Sequence, residues 1–140
     1  MGCRKNFRHR TLQLLGRWVP VLFQMGLIFY FSAQPAGSPA LERFPLPPVI
    51  GHLGGYGLLG LLLYRAFNRG LFGWNLIFAR NTFVVGFLYA ISDELHQVFV
   101  PGRTPATSDV VIDAAGIILV LLVIRLVINP LYSRLKAKDS

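Results

Sequence analysis

Four apolar stretches, each close to the length of a membrane crossing, constrain this chain more than any other feature. They run over residues 18–34, 49–67, 81–100 and 109–129 of a 140-residue sequence. A helix needs about 20 predominantly apolar residues to span the hydrocarbon of a bilayer. Backbone groups left unpaired in lipid cost several kcal/mol each, so such segments must be helical. Charged residues make up only 14 % of the chain, against roughly a quarter in soluble domains, and the mean hydropathy is +0.53. An ordinary cytosolic domain, a disordered tail and a disulfide scaffold are excluded on these grounds. The expectation is an all-α integral membrane bundle of four transmembrane helices, one domain over residues 1–140. The first span is too long for the apolar region of a signal peptide, and no small-x-small cleavage site follows it.

Turn chemistry separates the spans. The stretch Pro35–Pro48 holds five prolines and Gly37. Residues 68–80 carry Arg69, Gly70 and Gly73, and Pro101-Gly102-Arg103-Thr104-Pro105 joins the third span to the fourth. Pro130 follows the fourth. The net charge of +8 would suggest nucleic acid in a soluble chain; here topology explains it, and no nucleic-acid partner is expected. Arg4, Lys5, Arg8, Arg10 and Arg17 precede the first span. Arg65, Arg69 and Arg80 flank the second loop, and Arg134, Lys136 and Lys138 follow the fourth span. The other two loops carry only Arg43 and Arg103. By the positive-inside rule both termini are cytoplasmic, in basic tails over 1–17 and 130–140, and residues 35–48 and 101–108 face outward. The expected location is the inner (cytoplasmic) membrane, with membrane lipids as partners. Cys3 alone allows no internal disulfide, and Asn6 stands where a myristoylation signal needs Ser or Thr.

Against that topology, the costly residues fall on one face. Four of the six acids, Asp93, Glu94, Asp109 and Asp113, lie at the outer end of the third span or the start of the fourth. His96, Gln97 and Arg103 share that stretch. Ser32 and Gln34 end the first span there, and His52 and Tyr56 open the second. With a rise of 1.5 Å per residue, Asp93 lies about 10 Å below the outer surface. Ionisable groups at such depth face a bundle interior and default to function. Asp93, His96 and Gln97 stand at i, i+3 and i+4 and can point together, with Glu94 rotated by about 100° toward another neighbour. Gly51-x-x-x-Gly55, with Gly54, Gly57 and Gly60, allows a close helix approach that brings His52 to the carboxylates.

Taken together, Ser32-Ala33-Gln34-Pro35, His52, the run Asp93-Glu94-Leu95-His96-Gln97-Val98-Phe99-Val100-Pro101-Gly102-Arg103, Ser108-Asp109 and Asp113-Ala114-Ala115-Gly116 resemble the VanZ-like family. These are small four-helix membrane proteins named for a member linked to teicoplanin resistance. The resemblance covers residues 28–120. It carries an antibiotic phenotype and no established reaction.

The expected site places Asp93, Glu94, His96, Arg103 and Asp113 in catalytic roles, and Ser32, Gln34, His52, Tyr56, Gln97 and Asp109 in ligand binding. Arg103 would clamp an anion bidentately, or else neutralise Asp109 or Asp113. Asp93 and His96 would move a proton or orient water. Asp109 also suits a helix N-cap. No metal ligand is assigned: His52, His96 and one carboxylate could supply a zinc set, but the chain has no H-E-x-x-H. No nucleophile elbow, P-loop or dinucleotide fingerprint is present. The expected function is binding or modification of a polar group of a cell-envelope lipid, lipid-linked precursor or lipoglycopeptide. A proton-coupled transporter would need a polar path to the inner side, where only Gln24 and Thr82 are polar. A non-catalytic scaffold would use the cluster as a latch.

Overall fold

A computed structural model describes residues 2–43 and 47–138, with side chains from Arg10 onward. Phe44, Pro45, Leu46, Asp139 and Ser140, and the side chains of Arg4, Lys5 and Arg8, lie outside the described residues. The described chain is all-helical, with no strand. Its elements are α1 (Gly2–Ser32), a short α2 (Pro39–Glu42), α3 (Pro48–Asn68), α4 (Leu76–Gln97), α5 (Thr107–Val123), a π-helical turn (Ile124–Ile128) and α6 (Asn129–Lys138). Three segments are long and apolar enough to cross a membrane: Arg10–Ser32, Leu76–Gln97 and Thr107–Lys138. The 21-residue α3 is not among them. Its first half carries Gly51, His52, Gly54, Gly55, Tyr56 and Gly57, none of them strongly apolar.

Burial is inverted relative to a soluble bundle. Gln24, Ser32, Thr82, Asp93, Glu94, Gln97 and Asp113 are buried, while Leu22, Phe23, Leu88, Val111 and Leu126 are exposed on the outside. An apolar perimeter around a polar interior suits lipid as the surrounding solvent. The apolar core, with Leu59, Leu63, Tyr64, Ile117, Leu121 and Ile124 fully or almost fully buried, fills the other half of the bundle.

The central helix is α3, which packs against α1, α4 and, most extensively, α5. Glycine makes that last contact possible. A Cβ on Gly116 would sit 2.5 Å from the Leu53 carbonyl oxygen and 3.1 Å from the Gly57 nitrogen. A Cβ on Gly60 would meet Val120 and Ile117 at 3.1–3.3 Å. The expected Gly51-x-x-x-Gly55 face is not the crossing: a Cβ at Gly51 or Gly54 would meet open space, and one at Gly55 only Ile28 at 3.9 Å. The close approach runs along Leu53, Gly57 and Gly60 instead.

Two prolines sit inside helical runs, and the carbonyl freed by the first is met from another helix. Pro20 lies within α1 and cannot donate to the carbonyl of Gly16. Both terminal nitrogens of Arg65, on α3, lie 3.5 Å from that oxygen. Helical structure continues past residue 129, where the fourth apolar stretch ends, and through Pro130 to Lys138. The chain widens into the π turn just before Pro130, and the Asn129 side-chain amide donates to the Ile124 and Leu71 carbonyls at 2.8 and 3.4 Å. A local π turn is a known way to pass such a break. The loop from α3 to α4 is pinned likewise. Arg69 adopts the left-handed conformation (φ 60°) that closes α3, the Asn68 amide donates to the Phe72 and Gly73 carbonyls, and Asn75 caps α4 through Ile77 and Phe78.

Gly116→Ala should lower stability by about 1–3 kcal/mol, because the new methyl group has only rigid backbone to push against. Gly54→Ala faces open space and should stay within about 0.5 kcal/mol of the parent. Thermal unfolding of the detergent-solubilised variants, followed by circular dichroism, measures both.

Candidate functional site

The ends of α1 and α4 and the starts of α3 and α5 converge at one end of the bundle, hereafter the polar end. Each expected site residue other than Gln34 and His96 contributes its side chain to one of two connected arrangements there. The hinge between them is His52.

The first arrangement is a cavity of about 640 Å³ bounded by α1, α2, α3 and α4. Its apolar wall is Leu27, Ile28, Phe31, Leu41 and Pro48; its polar wall is Gln24, Ser32, His52, Tyr56, Asp93, Gln97 and Arg103. Gln97 donates to the Ser32 hydroxyl at 2.9 Å, tying α4 to the end of α1. Asp93 and Tyr56 are 4 % and 1 % exposed; the Asp93 carboxylate lies beside the Tyr56 and Ser32 hydroxyls, yet its Oδ1 and the Tyr56 hydroxyl do not close to hydrogen-bonding geometry. Both residues line the cavity, so this loosely closed group keeps hydrogen-bonding capacity toward it. A buried polar group without a partner costs about 1–3 kcal/mol, which a ligand or water in the cavity would recover.

The second arrangement lies between α3, the end of α4 and the first turns of α5. His52 Nδ1 is 3.0 Å from Oδ1 of the fully buried Asp113. His52 Nε2 faces Asp109 Oδ2 at 3.6 Å. The remaining member, Glu94, accepts from the Ala106 backbone N–H at 2.9 Å through Oε2, while its Oε1 is buried and unpartnered. Glu94 thus faces α5, as its 100° offset from Asp93 predicts. Asp109 is not the N-cap of α5. That position is Ala106, which makes no side-chain cap. Asp109 instead sits in the first turn, where the helix dipole favours a negative charge.

Arg103 pairs with neither Asp109 nor Asp113. The Pro101-Gly102 turn, with Gly102 at φ 73° and packed on Ala36, folds Arg103 back over the end of α1. There its Nε donates to the Gln34 carbonyl at 3.1 Å and its Nη2 to the Phe31 carbonyl at 3.0 Å. A cation on the free carbonyls of a helix C-terminus is favoured by the dipole and by the unmet acceptors. Held on that end, Arg103 is a fixed positive charge in the cavity wall, and its five N–H donors exceed the two bonds it makes.

Two expectations need correction. His96 does not share the cavity face of Asp93 and Gln97. Its ring stacks on Phe29, with centroids 4.4 Å apart, and its Nε2 is buried without a partner. Helical geometry explains this: Gln97 is about 40° from Asp93 in one sense and His96 about 60° in the other, so a face centred between Asp93 and Gln97 leaves His96 aside. Gln34 donates its side-chain amide to the Tyr30 carbonyl of its own helix, so it reaches the site only through its backbone oxygen. Gln24, by contrast, belongs to the cavity and donates to the Gly55 carbonyl at 3.1 Å. Its signal was its spacing: residues 24, 28, 31 and 32 stand on one face of α1. Tyr89 also contributes, donating to the Met25 carbonyl at 2.7 Å.

Asp113→Ala should cost about 1–3 kcal/mol, since it strips a half-buried histidine nitrogen of its partner. If the His52–Asp113 contact carries that loss, the pair His52→Ala and Asp113→Ala will be less damaging together than the sum of the two. A double-mutant cycle on thermal stability in detergent reads the coupling, and strict additivity would show the contact to be energetically idle.

A family model described as VanZ/LLP1 matches residues 17–128 of the chain. No curated protein and no solved structure matches it.

Proposed function

The chain belongs to the VanZ/LLP1 family, and on that premise we propose that it binds the polar head of an acylated cell-envelope molecule in the cavity at its polar end. The observation that carries this reading is the two-sided lining. A wall of Leu27, Ile28, Phe31 and Leu41 faces a wall bearing Ser32, Tyr56, Asp93, Gln97 and Arg103. Ligand sites are mostly apolar with a few convergent polar groups, and this one matches a ligand that is itself amphipathic. An acyl chain lies along the apolar wall. Arg103, anchored on the end of α1, holds an anionic group, while Asp93 and Tyr56 take a hydroxyl or amine of the head. Asp93 is also the group placed to accept a proton from the ligand. Envelope lipids, lipid-linked precursors and lipoglycopeptides such as teicoplanin share this build.

In the membrane, α3 joins the three apolar segments as a fourth crossing helix. The proposed topology puts both termini in the cytoplasm and the polar end at the outer face of the inner membrane, with Arg65, Arg69 and Arg80 inside. The apolar core at the other end, Leu59, Leu63, Ile117, Leu121 and Ile124, weighs against a polar transport path through the bundle.

Two measurements test these statements. In a Cys3→Ser background, Ser38→Cys should react with a membrane-impermeant maleimide on spheroplasts and Asn68→Cys only after lysis. The reverse pattern would invert the topology. For the ligand, native mass spectrometry of the detergent-extracted protein should show co-purified envelope lipid, and competition with added undecaprenyl phosphate, phosphatidylglycerol and teicoplanin ranks the classes. Arg103→Gln and Asp93→Asn should each weaken the retained ligand by at least about tenfold, the loss of one charged hydrogen bond of about 1.5–3 kcal/mol. Retention unchanged in both variants would remove the cavity from consideration.

A further inference from the structure

Behind the cavity, His52, Glu94 and Asp109 bring one ligand atom each to within 4.8 Å of one another. We propose that these three side chains bind a divalent first-row transition-metal ion. The assignment stands apart from the lipid reading, since it needs no ligand in the cavity.

Four observations support it. First, the donors converge from three helices, α3, α4 and α5, so the fold and not one local turn gathers them. Second, Glu94 is 7 % exposed and its Oε1 is buried with no hydrogen-bond partner. Its other oxygen is fixed on the Ala106 N–H, which sets the orientation of the carboxylate. Third, His52 is oriented as a metal-bound histidine usually is. Its Nδ1 is held at 3.0 Å by the buried Asp113 carboxylate, leaving Nε2 toward Asp109 and Glu94. Such a carboxylate behind the imidazole fixes the tautomer and raises ligand basicity. Fourth, the charge balance is incomplete. Among the described residues, no lysine or arginine forms an ion pair with Glu94, Asp109 or Asp113; both ion pairs there belong to His52. Buried charges are normally paired or coordinate metals.

The spacing fits after a small closure. Bonds of about 2.0–2.2 Å place neighbouring ligand atoms about 3.3–3.6 Å apart in a tetrahedral site. His52 Nε2 and Asp109 Oδ2 already stand 3.6 Å apart, and the partly exposed Asp109 can rotate to close the rest. One imidazole and two carboxylates select a transition ion such as Zn²⁺ over Mg²⁺ or Ca²⁺, which prefer all-oxygen sets. Three protein ligands leave a position for water or for an oxygen of a bound molecule.

The test uses the full chain carrying Cys3→Ser, to remove the thiolate, in detergent without added lipid. Titration with ZnCl₂ by isothermal calorimetry should give one saturable site. CoCl₂ should give visible d–d bands that ZnCl₂ displaces. Glu94→Gln and Asp109→Asn, both near-isosteric, should abolish the site, and Asp113→Asn should weaken it about 10–100-fold, as loss of an outer-shell carboxylate does. Glu42→Gln, on the exposed α2, should bind like the parent. No saturable Zn²⁺ binding to the folded parent protein would overturn the proposal. So would binding unchanged in Glu94→Gln and Asp109→Asn together, or tighter binding of MgCl₂ or CaCl₂ than of ZnCl₂. If those variants fail to fold, the cobalt spectrum of the parent decides: absence of the d–d bands refutes the site. Neither outcome depends on whether lipid is retained in the cavity.

Discussion

The passage of α3 over α5 at Gly116 sets the geometry of the whole polar end. Backbone meets backbone there, with the Leu53 carbonyl and the Gly57 nitrogen where a side chain would otherwise stand. His52 is the residue before Leu53, and Asp113 lies three residues before Gly116 on α5. The crossing therefore places His52 on Asp113, and one turn further toward the helix start on Asp109. A longer interaxial distance would leave Asp113, which is fully buried, without the one side-chain hydrogen bond it makes among the described residues. Small residues at helix crossings act by permitting this approach, since lipid tails provide little hydrophobic drive for helices to associate.

A second regularity follows from the scarcity of water. At Pro20 and at the end of α1, where backbone carbonyls lose their helical partners, a polar side chain from another segment supplies one. Arg65 covers the carbonyl freed by Pro20, and Arg103 covers the last carbonyls of α1. Within one helical run, the Asn129 side chain adds a second bond to the Ile124 carbonyl across the π turn. Unsatisfied backbone groups cost several kcal/mol in hydrocarbon, and neighbouring helices usually meet them. Charged residues here consequently have more than one role. Arg65, one of the cations of the proposed inner side, also bridges α3 to α1, and Arg103 is at once a helix cap and part of the cavity wall.

The sequence carried much of this because its strongest signals are physical ones. Long apolar stretches force helices, and costly residues confined to one end of each stretch must meet. That reasoning foretells the all-helical chain and the convergence of Ser32, His52, Tyr56, Asp93, Gln97, Arg103 and Asp113. It falls short where the outcome depends on angles or on local competition. His96 shares the i+3 spacing that suggested a common face, but the face is only wide enough for residues 40° apart. Gln34 finds a carbonyl on its own helix sooner than it finds the cavity. Asp109 looks like a cap until Ala106 proves to hold that position with Glu94 on its N–H. Pro130 ends a helix in water, yet in this chain a widened turn carries the helix through to Lys138. Which glycines touch α5 is likewise a matter of helix phase, and phase accumulates over turns that residue types alone do not fix.

Apart from Asp93, which lines the cavity with Arg103, the charges at the polar end are segregated, and that separation makes two kinds of ligand compatible. Arg103 is tied to the end of α1, whereas Glu94, Asp109 and Asp113 gather around the start of α5. Between them stands His52, which lines the cavity on one side and contacts two of the carboxylates on the other. An anionic head group on the Arg103 side keeps the cavity between itself and these three acids, with Asp93 the one carboxylate that shares its chamber, and in a medium of low dielectric such separation matters more than in water. A cation among the acids would lower their repulsion toward that same head group. The two proposed occupants thus favour one another electrostatically, through a histidine that belongs to both arrangements.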